Sequence, residues 1–177
     1  MKTFKTMLKT ELKLSLRGMD MFIFAICMPV VVIVLLGIIY GDKPAFADAE
    51  YTFLQQSFGA VSTIAICAGG LMGLPLVVSD YRNRKILKRL KVTPVKPITI
   101  LLVEITIYCI YSLVSLALIY LVAFLFFDFQ IIGSFWQFFL SFVLVMLSMF
   151  SIGMMVGGIA PNMKIASTVA SILYFPM

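Results

Sequence analysis

Residues 79–97 read SDYRNRKILKRLKVTPVKP, and this stretch decides how the chain is organised. It is the only long polar island between apolar runs. Arg82, Arg84, Lys85, Lys88, Arg89, Lys91 and Lys96 give it half of the chain's 14 basic residues. Around it, the 177-residue sequence is 62% hydrophobic and 12% charged, with a mean hydropathy of +1.09. Soluble domains carry about 45–50% apolar and about 25% charged residues. The composition therefore specifies an all-α fold, a polytopic transmembrane helical bundle.

Upstream of the island, residues 57–78 form an apolar span in which Gly69, Gly70 and Gly73 are followed by Pro75. Its last two turns are both flexible and closely packable, and they lead directly into the island. Residues 41–56 are a polar loop with Asp42, Asp48 and Glu50 against Lys43, and residues 21–40 are an uncharged run. As a helix that run is about 30 Å long, the thickness of the hydrocarbon core. Pro29 lies well inside it and is expected to kink it.

Residues 1–20 repeat Phe4, Leu8, Leu12 and Leu16, with Lys5, Lys9, Lys13 and Arg17 one position behind. On a helix this sets a cationic stripe about 100° from an apolar one. That is the pattern of an amphipathic helix lying in the interface, lysines toward anionic headgroups. A signal peptide fits less well, because the apolar run that follows is too long for an h-region and lacks a small-residue cleavage site.

Downstream of the island, residues 98–127 would make about 45 Å of helix, more than a bilayer requires. Glu104 resolves the excess, since a carboxylate at the bilayer centre is costly. Set at the boundary, it leaves 105–127 to span and 98–103 to lie in the interface. Two readings of Glu104 stay open: a polar pair with Tyr108 facing a path, or a boundary carboxylate bonded to nearby bases. Residues 135–159 form a fourth span, opened by Trp136 and containing the close-packing face Gly153-x-x-x-Gly157. Residues 165–177 begin a fifth. At about 20 Å this run is short of a bilayer and ends without a polar residue, so the chain is expected to be truncated before the end of that span.

Basic residues fix the orientation. Lys2, Lys5, Lys9, Lys13 and Arg17 precede the first span, seven more occupy the island, and Lys164 follows the fourth span. The alternate loops hold Lys43 alone. A multi-pass protein of the cell membrane is expected, with the amino terminus and the island cytoplasmic.

Within the island, residues 80–92 are long enough for about three and a half helical turns. Ile86, Leu87 and Leu90 share one face, cations cover the rest, and Pro94 and Pro97 stop the helix. A loop that only sets topology needs the charges but not the apolar face, which suits docking into a groove on a partner. Nucleic acid is a poor partner for it, because no aromatic residue except Tyr81 interleaves the bases.

The layout resembles the permease subunit of type-2 ATP-binding cassette (ABC) exporters. Those permeases open with an interfacial helix and carry a cytoplasmic coupling helix between their second and third spans. Asp80 and Arg82 stand near the first acid–arginine pair of that family's loop, and Leu87, Arg89, Leu90, Thr93 and Pro94 match its later part. Asn83, Arg84, Lys85 and Ile86 replace its Gly-Thr region, and Lys88 replaces an acid.

The resemblance implies a partner ATP-binding cassette subunit, which would hold ATP and magnesium. It also implies pairing with a second permease copy or paralogue. Arg82, Ile86, Leu87, Arg89, Leu90, Thr93 and Pro94 would couple to the ATP-binding subunit, with Pro29, Gly69, Gly70, Gly73 and Pro75 as hinge or packing positions. No cofactor is expected on this chain, which contains no G-x-x-x-x-G-K-[ST] motif.

Two rivals share the helices. A secondary transporter or channel subunit usually shows strongly polar residues at mid-membrane, and here only scattered Ser, Thr and Tyr are found. A non-transporting accessory or immunity protein would not require the apolar face of the island. An enzyme is disfavoured, since histidine is absent and the spans hold no carboxylate pair. Cys27, Cys67 and Cys109 fall singly in apolar runs, as packing residues do.

Overall fold

Two prolines shape the two apolar helices that precede the basic island. Proline lacks an N–H, and its ring clashes with the carbonyl four residues back. A helix relieves that clash by widening just before the proline, as a π-type turn with i→i+5 pairing. In the computed structural model of the chain this happens twice. The turn Ile23–Cys27 precedes Pro29, and the turn Ala68–Gly73 precedes Pro75. The two widened turns lie against each other.

The structure describes residues 2–17, 23–40, 43–46, 51–85, 96–127, 129–130 and 133–175, and helix accounts for most of them. Helix α1 is Lys2–Arg17. Helix α2 joins the turn Ile23–Cys27 to Met28–Tyr40. Helix α3 runs unbroken over Phe53–Asn83, α4 over Pro97–Phe127, α5 over Phe135–Ile159 and α6 over Met163–Tyr174. Among the described residues the only extended pairing is an isolated bridge between Pro44 and Thr52. The fold is a polytopic helical bundle, and three helices are long and apolar enough to cross a membrane: Phe53–Asn83, Ile98–Phe127 and Phe135–Ile159.

Helix α3 extends beyond the 57–78 expected from hydropathy at both ends. At its start Thr52 closes a capping box with Gln55: the Thr52 N–H donates to Gln55 Oε1 (2.8 Å) and the Gln55 N–H to Thr52 Oγ1 (3.3 Å). At its other end the helix continues through Ser79–Asn83 into the basic island.

Helix α3 is the centre of the bundle. In its most apolar stretch 72% is buried, against 28% for α4 and 33% for α5. The outer helices keep apolar faces exposed, such as Leu140, Leu144 and Leu147 on α5, as lipid contact requires.

Close approach to α3 is built from glycine. A Cβ on Gly153 would strike the carbonyl oxygen of Gly70. On Gly157 it would come within 2.9 Å of Val78 Cβ and 3.1 Å of Pro75 Cα. The Gly153-x-x-x-Gly157 face of α5 is thus seated on the widened turn and the proline of α3. From α4, the Tyr108 ring fills the space that a side chain on Gly73 would need.

Helix α1 is amphipathic, with Lys5, Lys9 and Lys13 exposed. Phe4, Met7, Leu8 and Leu12 pack against the core of the bundle, and the exposed Leu14 and Leu16 remain for lipid. Ser15 accepts a hydrogen bond from the Tyr111 hydroxyl (2.8 Å), which fixes α1 alongside α4.

Candidate functional site

The end of α3 that enters the island is held by three successive residues. Neighbours on a helix point about 100° apart, so each can reach a different partner. Asp80 pairs with Arg84 one turn on (2.9 Å). Tyr81 points to α4, where its hydroxyl donates to Glu104 Oε1 (2.7 Å). Arg82 points to α5: its Nη1 donates to the carbonyl oxygens of Gly157 (3.4 Å), Gly158 and Ala160 (3.3 Å). Those carbonyls are at the carboxyl end of α5, where unpaired acceptors and the helix dipole favour a cation. Beyond them Lys85, with φ of 55°, turns the chain out of the helix.

Helix α4 begins at Pro97, so the island joins the tied end of α3 to the start of α4. Of the coupling residues named from sequence, Arg82 is the clasp on α5. Ile86, Leu87, Arg89, Leu90, Thr93 and Pro94 lie outside the described residues. Pro29, Gly69, Gly70, Gly73 and Pro75 gather at the two widened turns, and Gly153 and Gly157 are packed on α3.

Glu104 and Tyr108 are both buried, at 5% and 2% exposure. The hydrogen bond to Glu104 comes from Tyr81 rather than from Tyr108 or, among the described residues, from a base. The Tyr108 ring meets Tyr111 edge-on (81°, centroids 6.2 Å apart).

Both residues line a cleft of ≈ 680 Å³ that opens between α1, α2, α3, α4 and α6. Its walls are apolar and aromatic, with Glu11, Asp80, Glu104 and Arg84 among the polar groups. Glu11 of α1 lines the same cleft as Tyr81 and Glu104.

Sequence reasoning missed Glu11 and Tyr81 as members of this site. Each carried a signal: Glu11 is the sole acid on a lysine-striped helix, and Tyr81 is the sole aromatic in the basic island.

Among the described residues, no group of three or more His, Cys, Asp or Glu is placed to hold a metal ion. The arrangement does two things chemically. It ties the island end of α3 to α4 and α5, and it places a cleft with carboxylates in its wall beside those ties.

Residues 2–177 match the family model described as ABC-2 type transporter. Neither the curated proteins nor the solved structures contain a match.

Proposed function

The chain belongs to the ABC-2 type transporter family, and from that premise we propose that it is the membrane-spanning permease subunit of an ATP-driven exporter. It is a multi-pass membrane protein of a transporter family, not an enzyme. ATP would be bound and hydrolysed on a separate subunit, with the basic island docked in a cleft of that subunit. Two permease chains, identical or paralogous, would enclose the path. The island and amino terminus face the cytoplasm in this reading, as the distribution of Lys and Arg requires.

The observation that carries the proposal is the set of ties at the island. A loop that only set topology would need no linkage beyond its charges. Here the helix entering the island is bonded to α4 through Tyr81 and Glu104, and to the end of α5 through Arg82. Closure of the ATP-binding subunits on the island would therefore move α3, α4 and α5 as a group. The widened turn Ala68–Gly73 in α3 and the turn Ile23–Cys27 in α2 are where such motion is most easily absorbed.

The test is a Leu87→Glu/Leu90→Glu double variant, reconstituted with its ATP-binding partner. ATP-dependent transport should fall to background while membrane insertion stays intact. Normal transport by that variant would overturn the docking role.

A further inference from the structure

We propose that the cleft beside the island binds an amphipathic organic cation, an apolar or aromatic body bearing one amine or onium charge, with Glu104 as its counter-charge. As a statement about the transported substrate class this rests on the exporter reading above. As a statement about binding it rests on the cleft alone. The volume, ≈ 680 Å³, falls in the range of small-molecule sites, about 300–1,000 Å³.

The walls select the body of the ligand. Met28, Met72 and Met163 present adaptable thioether side chains, and Tyr81 and Tyr108 add aromatic carbon to the lining.

The charge is selected by what Glu104 lacks. It is buried and, among the described residues, receives one hydrogen bond, from the neutral Tyr81 hydroxyl. Glu11, another acid, lines the same cleft. Arg84, the basic side chain among the residues lining the cleft, is paired with Asp80. A buried carboxylate is stable when paired with a cation, and among the described residues none is in ion-pair contact with Glu104. A chain of net charge +6 thus carries an acidic, apolar-walled cleft.

An organic anion would meet Glu11 and Glu104 unscreened. A neutral apolar molecule would leave Glu104 as it is. A bare divalent ion would want several clustered ligands, and among the described residues no group of three or more His, Cys, Asp or Glu is placed to hold one.

The test uses the full-length protein in nanodiscs of zwitterionic phosphatidylcholine, without nucleotide or ATP-binding subunit. The probes are radiolabelled tetraphenylphosphonium and its anionic isostere tetraphenylborate. The cation should bind saturably and the anion should neither bind saturably nor compete. Glu104→Gln, which keeps shape and hydrogen bonding, should weaken cation binding about tenfold or more. Glu11→Gln, at a half-buried position, should weaken it about threefold, and this second variant keeps the test decisive if Glu104→Gln fails to fold.

Equal binding of the two isosteres, absence of saturable cation binding, or wild-type affinity in the carboxylate variants would each overturn the proposal. Binding is read without ATP. A chain that binds the cation but never exports it with its partner sinks the exporter reading alone, and a chain that exports other molecules without binding the cation sinks this inference alone.

Discussion

Glycine 153 shows how little room the bundle leaves. Its α-carbon faces the Gly70 carbonyl so closely that a methyl group would collide with it, whereas nothing lies within 4 Å of a Cβ placed on Gly158. Gly153→Ala should therefore destabilise the protein by about 1–3 kcal/mol through overpacking, while Gly158→Ala should change stability by no more than about 0.5 kcal/mol. Thermal unfolding of the two variants in detergent micelles separates them, and equal losses would show that α5 does not rest on the α3 backbone. The spacing of Gly153 and Gly157 was legible as a packing face, but its partner was not, because i, i+4 spacing names one face and says nothing of which helix lies opposite. Glu104 was legible as a residue needing explanation. Its bond to Tyr81 was not, since that depends on how closely two helices approach after folding.

At the scale of elements, the apolar runs named the helices, and a bundle follows from composition. The widened turns were hidden. Pro29 and Pro75 announce a disturbance, but a kink, a break and a π-type turn all satisfy the same sequence. Around the second turn, Tyr108 and Phe150 stand where side chains on Gly73 and Gly70 would be, contacts that no sequence spacing announces. The turn has a consequence for register: a helix that recovered α-type pairing through residues 68–73 would rotate everything beyond it by about 100°. Pro75→Ala restores the missing donor and should permit that recovery. Pro75→Ala would then swing Tyr81 off Glu104, so Tyr81→Phe should cost about 1 kcal/mol of stability in the otherwise native chain and nothing once Pro75→Ala is added. An equal cost in both backgrounds would mean that the glycines, not the proline, hold the turn open.

At the scale of the molecule, the exposed faces of α4 and α5 and the buried α3 describe a unit made to sit among lipids or against another copy. The proposed orientation has its own check. In intact cells, an Asp48→Cys variant should react with an impermeant thiol reagent and a Lys88→Cys variant should not; the reverse pattern would invert the topology. The island's charge was the most legible feature of all, yet it explains orientation more than mechanism. The coupling we propose would run through the contacts of the helix entering it: Tyr81 on Glu104, Arg82 on the end of α5, and the widened turn against that of α2. One of these has a mechanical reading. The widened turn of α3 lies beside that of α2, and it would serve as a hinge in the proposed motion. From it α3 extends ten residues toward the island, over Leu74–Asn83, and fifteen toward the other end, over Phe53–Cys67. Those arms are about 15 Å and about 22 Å long, so a hinge at the turn would let the short arm follow the island while the longer arm keeps its place in the bundle.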